Sequence, residues 1–554
     1  MFARRIACYA VIAVIAAVLL YTLYRGREGQ AEIERSDVER AGKLIGLEFT
    51  VSEMDSMLED LTANLHSYRK LRETRISNAV PPALMFNPVP AGAEFEEKES
   101  GLKFSPAEDV EVPENLEKLS FCSVRQLAGL IREGKITSTE LTEMYIARLK
   151  EYGPKLKCVI TLTEELALKQ AKRADREIAE GNYRGLLHGI PYGVKDLLSV
   201  KGYKTTWGAT PYRDQEIDEN AAVINKLNKA GAVLVAKLTL GALAWGDVWY
   251  GGKTRNPWNT EEGSSGSSAG PASATAAGLV AFSIGTETWG SIVSPSTRCG
   301  VVGLRPTFGR VSRSGAMALS WSMDKIGPIC RYVEDCAVVF DAIRGPDGND
   351  ATVVDLPFNY NDDIDLEDVR IGYLKRLFES DYRQKETDAA ALRKMRELGA
   401  ELIPVELPDF PVESMSFILN AEAAAAFDRL TRSGEDDMMV RQVRNAWPNV
   451  FRASRLIPAV EYIRANRLRY KLIQEMENID VDIYLAPSFG GNNLLLTNLT
   501  GHPCVVVPNG FDSGGDPVSI SFIGKLFEEG KLLAAAKKYQ DAAGFKDEHP
   551  PLFR

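Results

Sequence analysis

Residues 263–291 read GSSGSSAGPASATAAGLVAFSIGTETWGS, and the chain continues as IVSPSTRCGVVGLRPTFGRVSRSG. Two runs of small residues and serines lie on either side of an apolar segment. Flexible linkers rich in Gly and Ser lack core residues, whereas this stretch contains Leu279, Val280, Phe282 and Ile284. The pattern therefore predicts tight turns held against a packed interior, where glycine lets the chain and a ligand approach closely. Such turns are a suitable setting for a buried reactive serine.

The serine spacing resembles that of the amidase signature family, serine hydrolases that cleave carboxamides. The family hallmark is a Gly-Gly-Ser-Ser-Gly-Gly type loop followed by Gly-Thr-Asp-x-Gly-Gly-Ser-Ile, and the second element stands here as GTETWGSI, residues 285–292. In the family a first serine precedes the nucleophile by 24 positions, which from Ser291 selects Ser267 among the serines of residues 264–268. The family lysine then falls on Lys195, within HGIPYGVKDLLSVKG.

Further blocks extend the resemblance over residues 119–553. They are CGVVGLRPTFGRVSRSG, MDKIGP, TNLTGHPCVVVPNGF and ISFIGKLF. The resemblance implies an α/β fold in which helices cover a large mixed sheet. It also implies an amidase that hydrolyses a small-molecule carboxamide to a carboxylate plus ammonia or an amine, with no metal and no other cofactor.

The resemblance assigns a role to each residue of a Ser-cisSer-Lys triad. Neutral Lys195 takes a proton from Ser267, Ser267 takes one from Ser291, and Ser291 Oγ attacks the amide carbonyl. The family places a cis peptide before the middle serine, so that a cis bond is expected between Gly266 and Ser267. Its oxyanion hole lies in the turn before the nucleophile, which here comprises the backbone N–H groups of Thr288, Trp289, Gly290 and Ser291.

Two positions depart from the family pattern. Trp289 replaces a customary small residue, and it either forms a wall of the acyl pocket or packs in the core. Val293 stands where many members have Arg, which weakens the case for a fixed carboxylate-binding site there.

The surroundings of Lys195 decide whether it can serve as a base. Its apolar neighbours in sequence favour desolvation, which lowers the pKa of a lysine. The adjacent Asp196 would counteract this effect if it faced the same way.

Other catalytic arrangements remain as alternatives to the triad. His188 and His502 lie near the site blocks and are candidates for a Ser-His-Asp arrangement, but no G-x-S-x-G element accompanies them. The Gly/Ser loop is not followed by Gly-Lys-Ser/Thr and no G-x-G-x-x-G opens a helix, which excludes a nucleotide-binding loop of these types.

Two other functions compete with a plain amidase. The glutaminase component of a tRNA-dependent amidotransferase shares the fold and triad, but it is soluble and works with partners. A catalytically inactive, amidase-like binding protein is the third possibility, against which the complete Lys and Ser set argues.

Composition limits the classes of partner. The chain of 554 residues has 66 basic and 76 acidic side chains, a net charge of −10, and no basic tail, so nucleic acid is not expected as its main partner. The seven cysteines are scattered without a C-x-x-C pair, which indicates neither a disulfide framework nor a zinc site. The oligomeric state stays open.

The N-terminal segment predicts a membrane anchor. Residues 6–24 are 19 uncharged, mostly apolar positions between arginines, long enough to cross a hydrocarbon core as a helix. Residues 1–30 are therefore interpreted as a single-pass anchor, with a cleaved signal peptide as the alternative. The short basic start favours export of the following domain.

The remaining chain divides into an extension and a catalytic domain. Residues 31–115 comprise a charged helical part followed by a Pro-bearing extended linker, and residues 116–554 form the amidase domain. A capping box at residues 137–140 predicts a helix. Apolar runs at 233–236 and 504–507 predict strands buried on both faces.

Overall fold

The structure is a computed structural model that describes residues 33–554. The predicted anchor, residues 6–24, lies outside the described residues. Within 33–554, no helix is both long and apolar enough to cross a membrane. The described chain forms two compact units, one made of residues 33–77 with Leu456–Pro458 and one made of residues 78–455 and 459–554. The sequence placed its domain boundary later, at 115/116.

The smaller unit contains two helices, α1 (Arg35–Ile45) and α2 (Val51–Glu73). Thr50 caps α2, because its hydroxyl accepts a hydrogen bond from the Glu53 N–H while the Glu53 carboxylate accepts one from the Thr50 N–H. The helical prediction for this part of the chain is confirmed.

The larger unit contains the remaining helices, which surround a sheet. They are α3 (Val124–Arg132), α4 (Ser138–Leu156), α5 (Glu164–Ala179), α6 (Ala222–Ala230), α7 (Ala269–Ala276), α8 (Val293–Cys299), α9 (Val333–Ile343), α10 (Lys375–Glu379), α11 (Lys385–Glu397), α12 (Phe417–Ala426), α13 (Asp428–Ser433), α14 (Trp447–Ser454), α15 (Ala459–Glu477), α16 (Asn493–Thr500) and α17 (Glu529–Ala543).

Its strands include eleven that form one mixed sheet. In chain order the strands are β1 (Leu102–Lys103), β2 (Val159–Leu162), β3 (Pro191–Lys195), β4 (Val233–Leu238), β5 (Val248–Trp249), β6 (Gly252–Lys253), β7 (Phe282–Glu287), β8 (Val302–Arg305), β9 (Lys325–Cys330), β10 (Tyr360–Asn361), β11 (Ile371–Leu374), β12 (Leu402–Val405), β13 (Ile483–Pro487), β14 (Cys504–Phe511) and β15 (Pro517–Gly524). Across the sheet their order is β12-β11-β13-β15-β14-β8-β9-β7-β3-β4-β2. The expected α/β fold with a large mixed sheet is confirmed.

Sequence patterns explain several of these elements. All six residues of β4 are buried, as expected for a strand covered on both faces. Thr137 caps α4 through the expected box with Glu140. Strands β3 and β7 are parallel neighbours, with Tyr192 opposite Phe282, so their carboxyl ends lie at the same edge of the sheet.

The Pro-bearing segment is an extended arm along the larger unit. Between residues 78 and 115 the described chain contains only the short strand β1, which pairs in parallel with β10. Asn78 donates from its side chain to the Ala318 carbonyl, and Phe86 packs edge-on against Phe308. These residues therefore contact the catalytic part of the chain directly.

Candidate active site

Lys195 is the last residue of β3 and is fully buried. Its ammonium contacts hydroxyl and carbonyl oxygens rather than a carboxylate. Nζ donates to Ser267 Oγ at 2.8 Å, to Ser268 Oγ at 3.0 Å, to Thr286 Oγ1 at 2.9 Å and to the Thr286 carbonyl at 3.2 Å. The structure thus brings together a lysine and a serine that are 72 positions apart in the chain.

The loop before α7 presents Ser267 to this lysine. The peptide bond between Gly266 and Ser267 is cis. A side chain at position 266 would have no space, because a Cβ atom there would lie 1.9 Å from the Gly246 carbonyl oxygen. Glycine at this position therefore lets two stretches of backbone meet beside the buried serine.

Ser291 lies in the turn between β7 and α8, and 8% of the residue is exposed. Its carbonyl accepts a hydrogen bond of 3.0 Å from the Ser268 N–H, which joins the turn to the loop that carries Ser267. No hydrogen bond joins the hydroxyls of Ser267 and Ser291 in the part of the chain that the structure describes. The three predicted triad residues are thus gathered at one edge of the sheet, with a direct side-chain bond between Lys195 and Ser267.

The turn of residues 288–291 is held from its far end by Glu287. The carboxylate of Glu287 accepts hydrogen bonds from the Ile292 N–H at 2.8 Å and the Val293 N–H at 2.9 Å. Its other oxygen pairs with Arg305 at 2.9 Å and accepts from Asn498 at 2.8 Å. Burial alone would raise the pKa of Glu287, but the Arg305 charge and the backbone N–H groups lower it to about 2.

The near end of the same turn is held by Asp324. Thr288 Oγ1 donates to Asp324 Oδ1 at 2.6 Å. In the described structure, the backbone N–H groups of residues 288–291 donate to no protein acceptor. A turn with free N–H groups that is fixed at both ends is the arrangement that stabilises a developing oxyanion.

Burial lowers the pKa of Lys195 well below its ordinary value, and the charges of Asp324 and Glu287 oppose this effect. Asp196 does not contribute, because it faces a different partner. Its carboxylate pairs with Lys237 at 2.7 Å. A desolvated amine bonded to a buried hydroxyl is suited to general-base catalysis.

The structure decides between the two environments considered for Trp289. Its side chain is 44% exposed, so the alternative of core packing is wrong. The turn lies on the surface of the described structure, and position 289 follows Thr288, whose hydroxyl is directed inward to Asp324. Trp289 therefore borders the space in front of the turn.

The two candidate histidines contact other groups. His188 Nε2 lies 3.1 Å from Glu177, and His502 Nδ1 lies 2.8 Å from Thr500 Oγ1. Neither ring contacts a hydroxyl of the predicted triad. Within residues 33–554 no group of three or more His, Cys, Asp or Glu side chains is arranged to hold a metal ion.

Four residues around the site were not assigned a role from the sequence. Ser268 and Thr286 bind the lysine, while Glu287 and Asp324 fix the turn. Glu287 occupies the acidic position of the GTETWGSI element and Asp324 lies in the MDKIGP block. Their place in these blocks was the available signal, but their side-chain directions were not.

Comparison with known proteins places this site in a family. The family model described as Amidase matches residues 140–493. The chain is 32% identical over 478 residues to the A component of the glutamyl-tRNA(Gln) amidotransferase of Methylococcus capsulatus, an alignment that covers 77% of this chain and 98% of the relative.

Solved structures agree with the family match. The peptide amidase from Stenotrophomonas maltophilia has a TM-score of 0.70 and 30% identity, with 78% of this chain and 99% of that chain covered. An amidase family protein from Bacillus anthracis has the same TM-score, 25% identity, and coverage of 78% and 93%. The chain therefore belongs to the amidase signature family.

Proposed function

We propose that this protein is an amidase that hydrolyses a carboxamide through a seryl acyl-enzyme, with Lys195, Ser267 and Ser291 as its catalytic residues. The observation that carries the proposal is the bond of 2.8 Å between the fully buried Lys195 Nζ and Ser267 Oγ. A lysine with a lowered pKa that is directed at a buried serine has no other evident structural partner to neutralise.

The surrounding bonds favour Ser267 over Ser268 as the proton donor to the lysine. Ser268 Oγ donates to the Thr286 carbonyl at 3.0 Å, so its proton is already engaged. A neutral amine has two hydrogens to donate and one lone pair. We assign the two hydrogens to oxygens of Ser268 and Thr286, which leaves the lone pair of Lys195 for the Ser267 hydroxyl.

The reaction follows from this arrangement. Lys195 accepts the Ser267 proton, Ser267 accepts the Ser291 proton, and the bond between Ser291 Oγ and the amide carbon forms. The backbone N–H groups of residues 288–291 stabilise the oxyanion. The C–N bond then breaks, Ser267 returns a proton to the leaving amine, and water cleaves the resulting ester to release the carboxylate.

The test is covalent labelling by an alkyl fluorophosphonate together with hydrolysis of a panel of primary amides, anilides and fatty acyl amides. Ser291→Ala is expected to abolish both, because it removes the atom that forms the acyl-enzyme. Lys195→Ala and Ser267→Ala should each cost several orders of magnitude, and the double variant should lose little more, since both serve one relay. Labelling of Ser291→Ala at the wild-type rate would refute the assignment.

A second candidate function is the glutaminase component of a tRNA-dependent amidotransferase. It is favoured by the curated relatives that are named as the A component of glutamyl-tRNA(Gln) amidotransferase and that this chain matches over almost their whole length. The two functions differ in one measurement. Glutamine hydrolysis that appears only when a partner protein is added would support the second candidate, and hydrolysis of other amides by the chain alone would support the first.

We also propose that residues 6–24 anchor the protein in a membrane and that the catalytic domain is exported. The support is the sequence alone, 19 uncharged positions between arginines. Membrane fractionation of the full chain, with and without residues 1–30, tests the anchor. Recovery of the full chain in the soluble fraction, with its N-terminus intact, would contradict it.

A further inference from the structure

Asp324 connects two segments of the candidate site that are distant in sequence. It is a half-buried residue immediately before β9. One carboxylate oxygen accepts the Thr288 hydroxyl at 2.6 Å. The other accepts the backbone N–H groups of Leu319 at 2.8 Å and Ser320 at 2.9 Å. The carboxylate therefore joins the turn before Ser291 to the loop before β9.

This loop is itself fixed from the opposite side. Ser320 and Ser322 donate their hydroxyls to the buried Glu422 of α12, at 2.6 and 2.7 Å. Tyr462 of α15 donates to the same carboxylate at 2.8 Å. Because the loop is anchored in the helical layer, Asp324 is a fixed support for the turn and not a mobile side chain.

The turn requires support at both of its ends. Glu287 holds the end that leads into α8, and nothing in that contact restrains Thr288. Oxyanion donors are effective only when they are held in place before the reaction. The bond between Thr288 and Asp324 supplies the restraint at the second end.

Asp324 also carries a charge that its hydrogen-bond donors do not neutralise, because all three donors are uncharged. Of the acidic groups that act on Lys195, Asp324 has the larger effect and Glu287 the smaller. Glu287 is in direct contact with the buried Arg305, which offsets its charge.

Other charged groups face this region. Lys325 follows Asp324 in β9, and burial lowers the pKa of its amine well below the ordinary value. Arg313, on the loop before β9, acts on Asp324 and forms an ion pair with Asp350 at 3.0 Å. Burial raises the pKa of Asp324 itself, while the Thr288 hydroxyl and the two loop N–H groups lower it.

We propose that Asp324 is a positioning residue that holds the oxyanion turn through the Thr288 hydroxyl and whose negative charge sets the pH range in which Lys195 acts as a base. The proposal rests on the proposed function, since it takes Lys195 as the base and residues 288–291 as the oxyanion turn. It assigns two separable effects to one carboxylate, a bond and a charge.

Two substitutions separate the bond from the charge. Thr288→Val removes the hydroxyl that donates to Asp324, with nearly the same side-chain shape and no change of charge. Asp324→Asn removes the charge, while its amide oxygen can accept both loop N–H groups and its amide nitrogen can donate to Thr288 Oγ1. Thr288→Ser retains the donor and is the conservative control.

The measurement is the rate of covalent labelling of the full-length protein by an alkyl fluorophosphonate as a function of pH. In this reaction the Ser291 Oγ–P bond forms, the P–F bond breaks and fluoride leaves, while the serine proton passes to the relay. The phosphoryl oxygen occupies the place of the oxyanion, so that the rate reports on the turn as well as on the base.

Thr288→Val is expected to lower the plateau rate by about 100-fold, the order of magnitude expected when reacting groups are misplaced. Its pH midpoint should equal that of the wild type, and Thr288→Ser should recover the plateau. Asp324→Asn is expected to move the midpoint about one pH unit lower, because an opposite charge that favoured the protonated lysine is removed. The double variant should combine the lower plateau with the lower midpoint.

A plateau of Thr288→Val within twofold of the wild type would overturn the role of the bond. An unchanged midpoint in folded Asp324→Asn would overturn the role of the charge. Asp218→Asn removes an exposed carboxylate that pairs with Lys201 and should change neither quantity. Thermal unfolding verifies folding, and if Asp324→Asn does not fold, Thr288→Ala repeats the test of the bond.

Failure of the proposed function gives a different result. If Ser291→Ala is still labelled at the wild-type rate, the family mechanism is wrong for this chain. If that variant is inert but Thr288→Val and Asp324→Asn both behave as the wild type, only the role given to Asp324 fails.

Discussion

Replacing Glu287 by Gln should weaken the fold and the catalytic turn together. The wild-type carboxylate is fully buried and makes four contacts, two with backbone N–H groups after Ser291, one with Arg305 and one with Asn498. The amide has the same shape but leaves the buried guanidinium of Arg305 without a counter-charge. Breaking a buried ion pair in this way typically costs about 3–5 kcal/mol.

The pKa of Glu287 supports the same magnitude. A change from the ordinary 4.5 to about 2 corresponds to about 3 kcal/mol of stability at neutral pH. Because the folded-state pKa is lowered, this contribution is complete above pH 4.5 and is lost as the pH falls towards 2. The difference in unfolding free energy between wild type and Glu287→Gln should therefore shrink across that range.

Urea unfolding at pH 7, 4 and 3 measures this difference, and Glu164→Gln is the matched control. Glu164 pairs with Lys150 on the surface at 2.8 Å, where such a pair contributes about 1 kcal/mol or less. A Glu287→Gln loss below 1 kcal/mol at pH 7, or a loss that is constant down to pH 3, would refute the reasoning.

A paired substitution separates stability from activity. Glu287→Leu combined with Arg305→Met replaces the ion pair by apolar side chains, which in other proteins is often neutral or stabilising. Much of the lost stability should return. Activity should not, because the Ile292 and Val293 N–H groups would still lack their acceptor. Recovery of full activity would show that Glu287 does not hold the turn.

Further predictions concern the base, the pocket wall and the N-terminus. The kcat/KM of amide hydrolysis should rise with pH through a midpoint below the ordinary lysine value, because burial lowers the pKa of Lys195, and His188→Asn or His502→Asn should leave that midpoint in place; its loss in a folded variant would favour a histidine base. Trp289→Gly should raise kcat/KM for bulky acyl amides relative to acetamide while changing the unfolding free energy by about 0.5 kcal/mol or less, since the side chain is 44% exposed, and an unchanged ratio would remove it from the pocket. Deletion of residues 1–30 should leave hydrolysis of a water-soluble amide intact, whereas an inactive, folded product would give that segment a role in the site.

Local patterns in the sequence were sufficient to predict many elements. The capping box at Thr137, the apolar run of β4 and the helical spacing in residues 51–73 each depend on neighbours a few positions away. The order of the strands depends on pairings between distant segments. Strand β13 pairs with β11 on one side and β15 on the other, which no local pattern encodes.

The site was predictable where a motif fixed the spacing and not where a side chain crosses from another element. Ser267 and Ser291 follow from the two family elements. The bond between Thr288 and Asp324 spans 36 positions and joins a turn to a loop. Only the antiparallel pairing of β7 with β9, which places Glu287 opposite Lys325, brings those two segments together.

The neighbouring strands β3 and β4 explain why sequence alone could not distinguish a reactive lysine from a structural one. Each contains a fully buried lysine, Lys195 and Lys237, and burial lowers the pKa of both. Consecutive residues in an extended chain point to opposite sides. Asp196 therefore points away from Lys195 and pairs with Lys237, which stabilises the charged form of that amine. Lys195 is left with hydroxyls and a carbonyl as its direct partners. The partner, and not the burial, is what suits one lysine to accept a proton and the other to keep its charge.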